Sequence, residues 1–204
     1  ITAASLFDGH DAAINVMRRL IQTSGAEVIH LGHDRSAKEV VDCAVQEDAH
    51  AIALTSYQGG HMEYFTYIRQ LLDEAGCEHI RIFGGGGGTI TPPEIRDLHK
   101  SGISKIYSPD DGRKMGLMGM IHDLMGTASK VDLITNSRIN SLEGPITADD
   151  MAKVGLLLTL SESASAEDFA ATLAKVRSSD ADVPVIGFTG TGGAGKSSLL
   201  DELM

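Results

Sequence analysis

The chain contains no tryptophan, and aromatic residues make up only 4% of it. A core is therefore expected from Ala, Val, Ile and Leu, within a hydrophobic content of 42%. Only two cysteines occur, Cys43 and Cys77. They lack paired metal-ligand spacing, so they are expected as reduced thiols of a cytoplasmic protein. Positive charge is scarce as well: 17 Lys and Arg against 28 Asp and Glu leave a net charge of −11 and no basic stripe. A nucleic-acid partner requires a basic footprint, so this balance argues against one. No signal peptide is visible, nor any apolar run long enough to cross a bilayer, and no membrane partner is expected.

What the 204 residues do contain is a regular alternation of strand and helix patterns. This points to βα units around a parallel sheet. Apolar runs at 1–7, 27–31, 51–55, 79–83 and 103–107 read as five strands. Helices are expected after His10, from Ser36 to near Glu47, from Met62 to Ala75, after Thr91, and from Gly112 to Met125. Ser36 with Glu39 and Thr91 with Glu94 are spaced as capping boxes, and Pro92 suits a first helical position. Five strands and five helices in this order predict a flavodoxin-like α/β domain over residues 1–126.

In such a sheet, ligands bind at the carboxyl ends of the strands, where the strand order reverses. The reversal falls between the first and third strands of the flavodoxin-like order. Asp8-Gly9-His10-Asp11 follows the first strand and Ser56 follows the third, so both flank one crevice. Gly84 to Gly88 follow the fourth strand and leave a wall without side chains, against which something large and flat could lie. Asp8, two residues from His10 on an extended segment, can bind the far ring nitrogen of that imidazole, fixing its tautomer and raising its basicity as a metal ligand.

These three loops together resemble the cobalamin-binding domain shared by adenosylcobalamin-dependent mutases and methionine synthase. That family's Asp-x-His-x-x-Gly corresponds to Asp8, Gly9, His10, Asp11, Ala12 and Ala13. Its Ser-x-Leu is matched to Ser56, Tyr57 and Gln58, and its Gly-Gly to the run starting Gly84, Gly85, Gly86. Two positions depart: Ala13 replaces glycine, and Gln58 replaces leucine in the pocket for the cofactor's nucleotide tail. The resemblance covers roughly residues 1–126. It implies that His10 is the axial ligand of cobalt in adenosylcobalamin, displacing the cofactor's benzimidazole, whose tail enters a slot beside Ser56. Asp8, Gly9, Asp11, Ala13, Gln58 and Gly84 to Gly86 complete the implied cofactor site.

Residues 127–183 read as a helical connector, with helices over 149–160 and 165–178 and a polar stretch from Asn136 to Ile146. Ser165 and Asp168 are placed to cap the second helix. A new strand, Val185 to Thr189, then leads into Gly190-Thr191-Gly192-Gly193-Ala194-Gly195-Lys196-Ser197, the P-loop pattern. Residues 184–204 are expected to begin a P-loop NTPase domain. Gly192, Gly193, Ala194, Gly195 and Ser198 would cradle phosphates with Lys196 on the β- and γ-phosphates and Ser197 on Mg²⁺. The opening at Ile1 inside a strand and the stop at Met204 inside the P-loop helix give the expectation of a piece of a longer protein.

A cobalamin domain, a connector and then a P-loop form an order that resembles the fused isobutyryl-CoA mutases. The resemblance implies interconversion of isobutyryl-CoA and n-butyryl-CoA, with the acyl-CoA bound by a C-terminal barrel. It also implies a GTP- and Mg²⁺-dependent G-protein chaperone for cofactor loading or repair, and a homodimer. A corrinoid methyl-transfer module and a non-catalytic cobalamin sensor are the alternatives from other classes. Several other residues take plainer readings. His30 and His33 beside Asp34 read as solvated loop residues more than a metal site. His61 reads as a helix N-terminal residue before a corrin contact. Met115, Met118, Met120 and Met125 read as core filler, and Asp110-Asp111 as a helix N-cap.

Overall fold

The computed structural model describes residues 1–147, 149–176, 187–191, 193 and 195–203. Four parallel strands, β1 (Thr2–Ala4), β2 (Ala51–Thr55), β3 (Arg81–Gly85) and β4 (Lys105–Tyr107), lie side by side in chain order. Their register pairs Ala3 with Leu54, Leu54 with Gly84 and Gly84 with Ile106. Parallel neighbours need long crossovers, here helical. Helices α1 (Ala12–Thr23) and α2 (Ala37–Gln46) precede β2, and α3 (His61–Glu74) precedes β3. Helix α4 (Pro92–Lys100) precedes β4, and α5 (Pro109–Ala128) follows it.

Among the described residues of 1–126, four strands form where the sequence predicts five. The segment 27–31 runs beside β1, with Thr2 N–H donating to Ile29 O and Leu31 N–H to Thr2 O. Only isolated bridges result, at His30 and Arg35. Between them Gly32 (φ 88) and Asp34 (φ 57) take left-handed conformations, which break the even spacing a parallel ladder needs. The expected adjacency of the strands ending in His10 and Thr55 is retained, as β1 next to β2.

Helix starts follow local chemistry. Ser36 Oγ accepts from Glu39 N–H at 3.2 Å while Glu39 Oε2 accepts from Ser36 N–H at 2.9 Å. Thr91 N–H likewise donates to Glu94 Oε2 at 2.7 Å, with Pro92 as the first helical residue. Each such cap satisfies amide groups that have no partner inside the helix. Alternation along the strands divides the core. Ile52, Leu54 and Ile82 face α2, α3 and α4, packing on Val40, Phe65 and Leu98. Ala51, Ala53 and Phe83 face α1 and α5, packing on Ile21, Ile121 and Leu124.

Helices α6 (Asn136–Asn140), α7 (Met151–Ser163) and α8 (Ala166–Val176) share a smaller cluster made by Leu142, Leu156, Leu160 and Val176. Asp168 N–H donates to Ser165 Oγ at 3.1 Å, the expected cap of α8. These helices are fastened to the sheet domain at Asp48, a buried residue with φ 44 just after α2. The Arg138 guanidinium grips both carboxylate oxygens, at 2.5 and 3.3 Å, and Thr159 Oγ1 donates to Oδ2 at 2.9 Å. At Gly155, α7 comes so close to α2 that an added Cβ would lie 2.8 Å from Val45 O.

The final helix, α9 (Lys196–Leu203), starts at the P-loop lysine. The described part of the expected strand, residues 187–189, takes no strand conformation, and no neighbouring strand lies beside it among the described residues. Val185, Ile186, Gly192, Ala194 and the end of the predicted helix at Ser178 lie outside the described residues.

Candidate functional site

The loop after β1 places a buried carboxylate under an exposed imidazole. Asp8 is fully buried, and its Oδ1 lies 2.8 Å from His10 Nδ1 while also accepting from His10 N–H at 3.0 Å. Its Oδ2 accepts from Tyr57 N–H at 2.6 Å, which ties the β1 and β2 loops together. Burial alone would push the Asp8 carboxyl up. The Tyr57 and His10 amides and the imidazole together outweigh that and hold it below the usual carboxylate range. An ionised carboxylate only accepts, so His10 Nδ1 must carry the proton. The Nε2 lone pair is then free on a side chain that is 70% exposed. That leaves one imidazole nitrogen able to donate to a metal ion above the loop.

Beside His10 lies an apolar slot of about 250 Å³ between α1 and α5, floored by β2 and β3. Its origin is the small residues on this face of the sheet: Ala53 and Thr55 on β2, and Gly85 on β3. Tyr57 joins the two features, because it lines the slot and its ring centroid lies 5.6 Å from that of His10. Thr55 lines the slot too and is 5% exposed, yet its Oγ1 has no hydrogen-bond partner. A buried, unpaired hydroxyl costs stability unless something supplies its partner.

The structure distributes the sequence-predicted residues unevenly around this slot. Gly84, Gly85 and Gly86 all line it. A Cβ on Gly84 would lie 2.4 Å from Phe65 Cζ, and one on Gly86 would lie 2.0 Å from Ser56 O, so neither position has room for a side chain. Ser56 itself is buried, but its Oγ accepts from Ser5 Oγ at 2.9 Å, and it is not among the residues lining the slot. Gln58 is exposed and also stands apart from the slot. Thr55 and Tyr57 occupy the slot wall instead. Parity along β2 carries the signal that finds them: Ile52 and Leu54 face one layer, so Ala53 and Thr55 face the other.

Gly9 is exposed with open space around its Cα, and Asp11 caps α1 through its backbone, with Asn15 N–H donating to Asp11 O at 2.9 Å. Ala13 lies half-buried in the first turn, next to Ile14 of the slot wall. His61, the first residue of α3, is buried, with Nδ1 3.2 Å from Gln58 O and Nε2 3.3 Å from Glu94 Oε1. His30 Nδ1 lies 3.0 Å from Thr2 Oγ1. Two plainer readings need correction. Met115 and Met118 are exposed, not core, because α5 breaks at Gly116. The cap of α5 is Ser108, and Asp111 is its capping-box partner, donating its N–H to Ser108 Oγ at 3.2 Å. In the P-loop, Lys196 Nζ donates to Gly190 O and Thr191 O at 2.8 and 2.9 Å. Gly193 and Gly195 take φ 79 and φ 77, while Ser197 and Ser198 are exposed at the start of α9.

An outward imidazole nitrogen, a side-chain-free glycine wall and an apolar slot with one orphan hydroxyl fit a flat metal macrocycle with a heterocyclic arm. Comparison with known proteins points the same way. Residues 1–108 match the family model described as B12 binding domain. The chain is 50% identical over 214 residues to the fused isobutyryl-CoA mutase of Geobacillus kaustophilus, a match covering 100% of this chain and 19% of that protein. It is 52% identical over 204 residues to the fused isobutyryl-CoA mutase of Cupriavidus metallidurans, covering 100% of this chain and 18% of the other. The chain thus spans less than a fifth of these relatives' length. The 2-hydroxyisobutanoyl-CoA mutase small subunit of Aquincola tertiaricarbonis is 32% identical over 104 residues, covering 50% of this chain and 74% of that subunit. Among solved structures, a cobalamin-binding protein from Desulfitobacterium hafniense shares the fold, with a TM-score of 0.51 at 18% identity over 62% of this chain and 56% of its own.

Proposed function

The chain belongs to the B12-binding domain family, and on that premise we propose that it holds adenosylcobalamin at the carboxyl edge of its sheet, with His10 on cobalt. The observation that carries this reading is the Asp8–His10 pair opening beside the slot. Asp8 keeps the proton on Nδ1, so His10 offers Nε2 without tautomeric competition. The slot would hold the cofactor's benzimidazole arm, with Thr55 Oγ1 as its polar partner and Gly85 and Gly86 along the wall. When bound, the cofactor supplies a cobalt–carbon bond that can break homolytically; the chain's own part is position and exclusion of water.

In a longer enzyme, this unit would serve radical isomerisation of isobutyryl-CoA to n-butyryl-CoA, with the acyl-CoA held by a separate barrel. Identity of 50–52% to fused isobutyryl-CoA mutases over the whole chain supports that placement. GTP with Mg²⁺ would bind at Gly193, Gly195, Lys196 and Ser197, serving a chaperone function, and the assembly would be a homodimer. Support for the nucleotide site is the lysine already folded over its loop by Gly190 O and Thr191 O.

The decisive experiment is an EPR spectrum of the cob(II)alamin-loaded protein. Nitrogen superhyperfine splitting that changes when histidine is labelled with ¹⁵N is expected, and His10→Ala should abolish the histidine contribution. A spectrum of His10→Ala identical to that of the unaltered chain would refute cobalt ligation by His10.

A further inference from the structure

Helix α5 consists of two helical segments that meet at a kink. Gly116 interrupts it at φ 67, ψ 174, a region open essentially to glycine alone. The two sides differ in how they are held. Beyond the break, Ile121 and Leu124 are buried under α1 and the sheet. Before it, no residue from Pro109 to Met115 is buried. That first segment is held by the Ser108–Asp111 capping box, and Arg113 pairs with Asp110 on its surface. Segments with little buried apolar surface open at low free-energy cost.

The same segment forms part of the slot. Pro109 and Gly112 line it from one side of the break, and Met120 and Ile121 from the other. Around the break, Met115, Leu117 and Met118 expose apolar side chains, at 39%, 38% and 45%. None of these three side chains lines the slot, and each gains stabilisation if a rearranged segment covers it.

We propose that residues 109–115 form a flap hinged at Gly116, which swings away to admit the cofactor's nucleotide arm and settles over it afterwards. This rests on the slot being the arm's site. The break lets the flap pivot while Ile121 and Leu124 stay seated in the core. Gly116 suits a test of the hinge alone, because a Cβ there would meet nothing within 4 Å. Alanine at this position meets no clash but is strained at φ 67, so it disfavours the broken backbone and with it the pivot.

Hydrogen–deuterium exchange and stopped-flow cobalamin binding in the 204-residue chain test this. Amides of 109–118 should exchange fast in the free protein and become protected on addition of cobalamin, with 121–128 protected in both states. Gly116→Ala should slow association by about tenfold or more, corresponding to a barrier raised by about 1.4 kcal/mol. Gly126→Ala, in the same helix with equally open surroundings, should bind at the unaltered rate. Unchanged exchange over 109–118 on binding would overturn the flap, as would an unaltered association rate in Gly116→Ala. Either result, with normal histidine-ligated spectra, leaves the cofactor site standing. Loss of those spectra in the unaltered chain would overturn both.

Discussion

Replacing Thr55 by valine keeps the shape of the slot wall and removes only a hydroxyl that has no partner in the free protein. Desolvating an unpaired hydroxyl costs about 1–3 kcal/mol, so Thr55→Val should raise the thermal midpoint of the free chain. The same change should weaken cobalamin by about three- to tenfold, since the bound arm loses one hydrogen bond. Calorimetric unfolding and a cobalamin titration check both signs, and a merely structural role would lower the midpoint and leave affinity unaltered. Residue identity in the β1 loop was legible from sequence because Asp8 and His10 stand only two positions apart, close enough for the carboxylate to meet both the amide and the ring of His10. The β2 loop was less so. Ser56 and Thr55 are both hydroxyl residues at a strand end, and only the parity of Ile52 and Leu54 against the core separates the one facing Ser5 from the one facing the slot.

Capping boxes at Ser36 and Thr91 could be read directly, because their partners lie three residues away. Elements that depend on distant partners could not. The 27–31 segment has strand-like residues, but its pairing is cut by the left-handed Gly32 and Asp34, which periodicity does not register. The break in α5 was hidden in the same way, since a helical methionine pattern continues across Gly116. Glycines of the run after β3 differ in ways that only packing reveals. Gly86→Ala would drive a Cβ into Ser56 O, prising the β2 and β3 loops apart, at an expected loss of about 1–3 kcal/mol. Gly88→Ala, whose Cβ would meet nothing within 4 Å, should leave stability near that of the unaltered chain. Urea titration of the pair checks this; equal losses would mean the run matters for backbone freedom and not for close approach.

Across the whole molecule, the Asp48 carboxylate is the joint between the sheet domain and the helices that follow it. Burial would raise its pKa, but His79, Arg138 and Thr159 outweigh burial and lower it. A depressed folded-state pKa gives stability that is present above the unfolded value of about 3.9 and lost as pH falls through the folded value. Arg138→Met leaves the carboxylate buried without its cation, at an expected cost of about 3–5 kcal/mol near neutral pH. As pH falls and the carboxyl of the variant takes up its proton, it needs no cation, so the gap in thermal midpoint should narrow. Melting curves from pH 7 to pH 3 measure this, and a gap constant over that range would exclude the charge as its origin. None of this joint was visible in the sequence, where Asp48 and Arg138 stand 90 positions apart. For anyone wishing to transplant a cobalamin-binding cassette from this chain, the joint decides where to cut. Trimming at residue 108 or 126 would strip α7 from the Val45 carbonyl it rests against and strand a buried carboxylate. A graft ending beyond Ser163 would carry its own counter-ion with it.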